Sequence, residues 1–398
     1  MAFGIYVHIP YCLQHCVYCD FSTTEINSTL SRKFPPNEYV TALKTEIASK
    51  GSQIGPRQVD SIYFGGGTPS LLKPRQLHEI LQCLTENGFP IKNEGEITLE
   101  INPDTLTMAE IKDLRNMGFN RYSVGAQTFN DRLLKVANRK HSTQDTIDTL
   151  SLLADFKVNY SMDILFGLPT QTLEDLAEDL EITRKFNPPH VSPYCLTVPQ
   201  SNPLSQNRPT DDVQVEMFAL IEKNLIQIGL NRYEISNFSK PDFESRHNLI
   251  YWNDQEYWGI GVSSHSYLHI GPWGTRFWNS QNLADWFGQI SLLNNERWQV
   301  PTVNSQSSEV LTMNQALTDF FHTSLRKKRG LSKSEFMGKF KRTPEEIAKR
   351  QLDKLNAKGL LAKSSDYYFL TAQGVLLSNQ VFEELTFLTK EISEIILN

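Results

Sequence analysis

Cys12, Cys16 and Cys19 stand at the spacing C-x3-C-x2-C, within the stretch Tyr6-Val-His-Ile-Pro-Tyr-Cys-Leu-Gln-His-Cys-Val-Tyr-Cys-Asp-Phe21. Each thiol loses its proton on ligation, so three of them crowded together gather a negative charge that a multinuclear iron centre or a zinc ion offsets. With three thiolates, a [4Fe–4S] cubane keeps one iron without a protein ligand. That open iron is a place for a substrate, by the logic that leaves one position free in catalytic zinc sites. The alternatives are a zinc site completed by His15 or His8, and surface thiols without a role.

Further along the chain, other residues of suitable chemistry occur at intervals. Gly65-Gly66-Gly67-Thr68-Pro69 follows an apolar run, and glycines at a strand end let backbone groups approach a ligand closely. Glu100, in Glu100-Ile-Asn-Pro103, is a strand-end carboxylate of the kind that accepts hydrogen bonds from ribose hydroxyls. Gln127, Arg139 and Asp163 are polar residues at or just beyond the ends of later strand candidates. Each of these alone reads equally well as an ordinary surface or turn residue. A second dense stretch runs from Tyr233 through His247-Asn-Leu-Ile-Tyr251-Trp252 to His265-Ser-Tyr267, mixing aromatics with histidine. It suits a flat, largely apolar ligand held by one imidazole, or simply an aromatic loop packed over neighbouring structure.

Taken in order, these residues resemble the radical S-adenosylmethionine (SAM) superfamily, whose signature has this cysteine spacing with an aromatic, here Tyr18, before the last Cys. The resemblance implies that Cys12, Cys16 and Cys19 ligate a [4Fe–4S] cluster. It further implies that Tyr6, Gly66, Gly67, Thr68, Glu100, Gln127, Arg139 and Asp163 hold SAM, and that an electron from the cluster breaks the sulfonium bond. Gly-Gly-Gly-Thr-Pro is similar to the form in the branch of oxygen-independent coproporphyrinogen III oxidase. His-Asn-x-x-Tyr-Trp resembles the signature of the HemW heme chaperones in that branch, and this implies heme as a cofactor held by His247, with client hemoproteins as partners. His265 is a second imidazole candidate. The alternative within the branch is the oxidase of porphyrin biosynthesis, which carries C-x3-C-x2-C-x-C where this chain has Cys19-Asp20-Phe21. The oxidases also carry an N-terminal extension, whereas this sequence begins five residues before Tyr6. No residue is assigned a catalytic role.

The elements that must position these groups alternate between β-type and helix-type, the pattern of βα units with a parallel sheet. Strands are expected at Phe3–His8, Ser61–Phe64, Ile97–Ile101, Arg121–Val124, Val158–Leu165 and Val191–Val198, with an amphipathic segment after each. Six units predict a partial (β/α)6 barrel over residues 1–236, whose site lies at the C-terminal ends of the strands. An aromatic and histidine segment (237–300) is expected to pack on it. A winged-helix-like α+β domain (301–398) follows, with a capping box at Thr343-Pro-Glu-Glu346. Within it, the basic run Arg326-Lys-Lys-Arg329 reads as a solvated face.

Composition sets outer bounds. The 398 residues carry 39% hydrophobic and 21% charged side chains, with a formal net charge of −6, which gives no overall reason to expect nucleic acid. Five cysteines, an odd number with three crowded together, argue against a disulfide framework and for a reducing, cytoplasmic setting. Cys83 and Cys195 read as buried core thiols. No window reaches membrane-spanning length, and the sequence specifies neither a peripheral membrane contact nor a homodimer.

Overall fold

The computed structural model describes residues 1–293 and 297–387. Residues 294–296, in the expected middle segment, and 388–398, at the end of the expected C-terminal domain, lie outside the described residues.

Strand β1 (Phe3–Ile9) leads into the cysteine loop, where two-residue strands β2 (Tyr11–Cys12) and β3 (Thr24–Glu25) pair with each other. The chain then builds β4 (Val59–Gly66), β5 (Ile91–Ile101), β6 (Arg121–Gln127), β7 (Asn159–Phe166) and β8 (His190–Cys195). Together with β1 these hydrogen-bond in chain order, all parallel. Helices Pro36–Ile54, Pro74–Glu86, Met108–Asn116, Thr143–Asp155, Leu173–Phe186 and Asp211–Gln227 follow the strands, each where its amphipathic segment was expected. This is the predicted partial (β/α)6 barrel. The sixth strand stops at Cys195 instead of Val198.

Side-chain alternation explains why the barrel has both a core and a site. Successive residues of a strand point to opposite faces. On β1, Ile5, Val7 and Ile9 are wholly buried against the helical layer, each at about 1.5–3 kcal/mol for such a side chain. The opposite row is polar or small. Registry aligns Tyr6 with Tyr63, Ser61 with Glu96, Glu100 with Ser123, Ser123 with Ser161, and Asp163 with Ser192. The barrel interior is therefore lined by hydroxyls, carboxylates and aromatic rings.

The stretch around His247 is not a loop but is built of short regular elements. It holds β9 (Asn231–Glu234), β10 (Asn237–Ser239), the helix Arg246–Trp252, β11 (Glu256–Ile260) and β12 (His265–Leu268), followed by β13 (Thr275–Trp278) and β14 (Ser308–Val310). All these strands join the same sheet, in the order β14-β13-β12-β11-β1-β4-β5-β6-β7-β8-β10-β9. β11 adds in parallel beside β1, and β12 to β14 continue antiparallel. Elements of three to seven residues are too short for periodicity to reveal.

The C-terminal part packs helices Met313–Arg326, Lys333–Phe340 and Pro344–Ala357 with a three-stranded sheet ordered β15 (Leu331–Ser332), β17 (Tyr367–Leu370), β16 (Leu361–Lys363). This is a winged-helix arrangement with its own core around Phe320, Phe321, Phe336 and Leu352. Thr343 and Glu346 form the reciprocal cap expected of them. Only half of the basic run is a solvated face: Lys328 and Arg329 are exposed, whereas Arg326 and Lys327 are partly buried. Arg326 pairs at 3.1 Å with the fully buried Glu234 and stacks 4.4 Å from the Trp252 ring centroid. The Lys327 ammonium donates to Asn253 at 2.7 Å, and the Lys328 amide to the Tyr233 carbonyl at 2.8 Å. Arg326, Lys327 and the Lys328 amide therefore clamp the winged helix to the barrel. Among the described residues no helix is long and apolar enough to cross a membrane.

Candidate functional site

At the C-terminal ends of the barrel strands, a cavity of ≈ 490 Å³ is lined by Cys12, Cys16 and Cys19 together with Gly66, Gly67, Thr68, Glu100, Gln127, Arg139 and Asp163. The sequence spreads these ten residues over more than 150 positions, and the βα repeat brings them to one mouth.

Local chemistry holds the cysteine loop in place. The amides of Gly67 and Thr68 donate to the Ile9 and Tyr11 carbonyls at 2.8 and 2.7 Å, tying the glycine loop to the loop bearing Cys12. A Cβ on Gly67 would stand 2.7 Å from the Tyr11 oxygen, and one on Gly66, whose φ is +110°, would strike the His8 ring at 2.5 Å. Glycine is required at both. On the far side, the Asn138 side chain donates to the His15 carbonyl at 2.7 Å and Asn202 to the Val17 carbonyl at 2.8 Å. Arg139 donates to the Cys16 sulfur at 3.4 Å, to Asn102 Oδ1 at 2.7 Å and to the Gly125 carbonyl at 3.0 Å. Its charge is thus delivered to the thiol loop as much as to the open cavity. Asn102, Asn138 and Asn202 were not singled out from the sequence; the Asn-Pro after Glu100 was the available signal for the first.

Burial pushes the Cys12 thiol up to about 11 and raises Cys19, with the neighbouring thiols adding to both. Such thiols stay protonated until a metal ion displaces their protons. Among the described residues no three His, Cys, Asp or Glu side chains converge on a single-ion site. Of the two histidines considered for zinc, His8 has both ring nitrogens engaged and His15 has one. His15 Nδ1 meets the Thr23 hydroxyl at 3.0 Å, and His8 meets the Tyr6 hydroxyl at 3.1 Å and the Ser22 carbonyl at 2.9 Å. Three thiols carried by one loop at the cavity mouth are a donor set that fits a [4Fe–4S] cluster.

The opposite wall carries two deeply buried carboxylates. Burial raises Glu100 to about 7, even though Tyr63 and the Gly66 amide donate to it at 2.7 and 3.0 Å. Burial also raises Asp163 to about 6, with Ser123 donating at 3.1 Å. Neither has an ion pair among the described residues, so the cavity presents acceptors that a cationic, hydroxyl-bearing ligand would satisfy. Gln127 is set beside them by a register shift between β6 and β7 and by a left-handed φ of +65°. Cys195, expected in the core, is instead exposed at the end of β8 and lines this cavity, because the strand ends there. Cys83 is buried as expected.

Tyr6 does not line the thiol cavity. It opens on a second one of ≈ 570 Å³, which shares Asp20 and Phe21 with the first and is walled by Tyr251, Trp252, Tyr257 and Tyr267. The helix Arg246–Trp252 serves both, with Asn248 on the thiol cavity and Tyr251 and Trp252 on the aromatic one. Gly4 makes room for this helix, since a Cβ there would meet Ile250 at 2.9 Å. Glu96 caps its start, accepting from the Arg246 and His247 amides at 3.1 and 3.2 Å.

His247 differs from its expected presentation. Only 1% exposed, it lies deep in the barrel, with Nδ1 on the Ser61 hydroxyl and Nε2 on the Tyr251 hydroxyl, both at 2.8 Å. Its ring stacks 5.1 Å from Tyr63. Burial lowers its pKa to about 3, so it is neutral, yet neither nitrogen is free to ligate. The helix register that sends Asn248 and Tyr251 to the cavities turns His247 inward, which the motif's letters alone do not reveal.

The chain has known relatives in sequence and in fold. The family model of the radical SAM superfamily matches residues 6–182, and that of the HemN C-terminal domain matches residues 311–377. The chain is 33% identical to the heme chaperone HemW of Bacillus subtilis over 95% of this chain and 97% of that one. It is 30% identical to the heme chaperone HemW of Escherichia coli over 96% and 97%. Among solved structures, the coproporphyrinogen III oxidase HemN of Escherichia coli, described as a radical SAM enzyme, superposes with a TM-score of 0.81 at 22% identity. That match covers 97% of this chain and 90% of that one, and it establishes likeness of fold.

Proposed function

The chain belongs to the HemW family of the radical SAM superfamily, and on that footing we propose that it is a heme chaperone carrying a [4Fe–4S] cluster and SAM and passing heme to client hemoproteins. The observation that carries the reading is the pair of adjoining cavities served by one short helix. One is polar and bears the three thiols; the other is aromatic and large enough for a flat macrocycle.

In this reading Cys12, Cys16 and Cys19 hold the cluster. Gly66, Gly67, Thr68, Glu100, Gln127 and Asp163 hold SAM, with Tyr6 behind them on the neighbouring wall. When bound, the cluster and SAM supply one-electron chemistry at the sulfonium. The chain's own contributions are separate. The glycine loop lets the backbone approach the ligand. Glu100 and Asp163 offer acceptors to its cationic and hydroxyl groups, and Arg139 offsets the charge of the thiolates when they lose their protons. Phe21 occupies the position of the oxidases' additional cysteine, at the junction of the two cavities, so no fourth thiol is available there.

The test uses anaerobically reconstituted full-length protein. Heme is titrated in and followed by its Soret band, and an apo-hemoprotein acceptor is then added. A second aliquot receives coproporphyrinogen III, SAM and reductant. Heme uptake and transfer without vinyl product support the chaperone; efficient decarboxylation identifies the oxidase instead.

A further inference from the structure

The aromatic cavity is floored by the antiparallel extension of the sheet. Registry pairs Tyr257 with Tyr267 and Tyr267 with Arg276, placing all three side chains on the cavity face. His265 lies two residues before Tyr267 and therefore on the same face, and it lines the cavity. Its ring stacks on its cross-strand partner Trp278, with centroids 5.6 Å apart and planes at 24°. The backbone beneath is fixed as well, since Gly259 approaches so closely that a Cβ there would stand 2.2 Å from the His265 oxygen. Among the described residues no group hydrogen-bonds to either ring nitrogen. The other histidine on this cavity, His8, has both nitrogens occupied. A positioned, unpartnered imidazole opening on a cavity walled by tyrosine rings is the arrangement that holds a heme iron from one side.

We infer that His265, and not His247, supplies the axial imidazole for the heme this protein carries, with Tyr251, Tyr257 and Tyr267 packing on the macrocycle. This rests on the heme-chaperone reading above. The charges around the cavity orient the ligand. Asp319 is paired with Arg276 at 3.3 Å and Asp254 with Lys339, whereas Asp20, at the junction with the thiol cavity, has no ion pair among the described residues. An unpaired carboxylate at that end would disfavour the heme propionates there. Burial and the nearby Arg276 lower the His265 pKa, which keeps the ring neutral as ligation requires.

The experiment is an anaerobic heme titration of the full chain and of its His265→Ala variant, read by absorption and by electron paramagnetic resonance of the ferric state. The wild type shows an imidazole-ligated spectrum. His265→Ala loses that signature and binds heme more weakly by about ten-fold or more, and free imidazole added to the variant restores the signature. Because His265 is exposed, its circular dichroism and unfolding midpoint match the wild type. An unchanged spectrum and affinity in the variant overturn the assignment of His265 alone. A wild type that binds no heme overturns the chaperone reading, and this inference with it.

Discussion

Replacing His247 by alanine separates a structural from a ligating role for the histidine of the His-Asn-x-x-Tyr-Trp motif. The imidazole bridges the Ser61 and Tyr251 hydroxyls at 2.8 Å each and stacks on Tyr63. Truncation strands the Ser61 hydroxyl in a closed interior, at about 1–3 kcal/mol for an unsatisfied group, and frees the Tyr251 hydroxyl on the cavity wall. It also removes three ring contacts, with Tyr63 at 5.1 Å, Tyr251 at 5.0 Å and, more distantly, Tyr6 at 6.5 Å, the closer two contributing about 0.5–1.5 kcal/mol each. Partial relaxation makes these less than additive, so the expected loss is about 3–5 kcal/mol, the range of severe core truncations. Urea unfolding followed by tryptophan fluorescence measures it. Heme titration well below the transition should then show the imidazole-ligated spectrum retained by the folded fraction. His265→Ala should behave oppositely, with stability within about 0.5 kcal/mol of wild type and altered heme coordination. A His247→Ala protein of unchanged stability that no longer ligates heme would refute this reasoning.

Three further outcomes follow from named contacts. Gly67→Ala places a methyl 2.7 Å from a backbone oxygen of the cysteine loop, so reconstituted iron content and SAM affinity, measured by iron assay and equilibrium dialysis, should both fall, the latter by about ten-fold or more. Arg326→Ala leaves Glu234 charged and fully buried and should cost about 3–5 kcal/mol, with faster proteolysis between barrel and winged helix; a nucleic-acid role for the run would instead change binding without changing stability. On acidification, His247 and His8 matter, because burial holds them neutral with pKa values of about 3 and about 4. The unfolded chain protonates them from about 6.5 downward while the folded chain does not, so stability is lost as pH falls below that value, on the order of 2 kcal/mol per histidine by pH 5. The raised carboxyls Glu100 and Asp163 act in the opposite sense over the same range, so the histidine contribution is read as the difference between the unfolding midpoints of the wild type and of His8→Gln from pH 8 to pH 5, and a difference that does not change with pH would contradict it.

The barrel was legible because each parallel strand is a short β-type run with an apolar helix-facing row, set between long amphipathic helices. The cysteines, the glycine loop and the strand-end polar residues were legible because their positions recur with the βα unit. What lay hidden depends on tertiary context. The direction in which His247 points is set by a seven-residue helix whose start is capped by Glu96, about 150 residues earlier in the chain. Short strands β11 to β13 carry His265 into the sheet without any pattern long enough to show it. The basic run looked solvated because its partners, Glu234, Trp252 and Asn253, lie more than 70 residues away in sequence. Cys195 resembled a core thiol because its strand was expected to continue three residues further.

The account stands on three thiols gathering a cluster with one iron open to SAM. The direct measurement is the electron paramagnetic resonance spectrum of the anaerobically reconstituted, reduced protein, recorded before and after SAM is added. A reduced [4Fe–4S] signal that changes on addition of SAM, and is absent when Cys12, Cys16 and Cys19 are replaced by alanine, is the predicted result. A protein holding one zinc ion per chain, or a cluster signal indifferent to SAM, would contradict it.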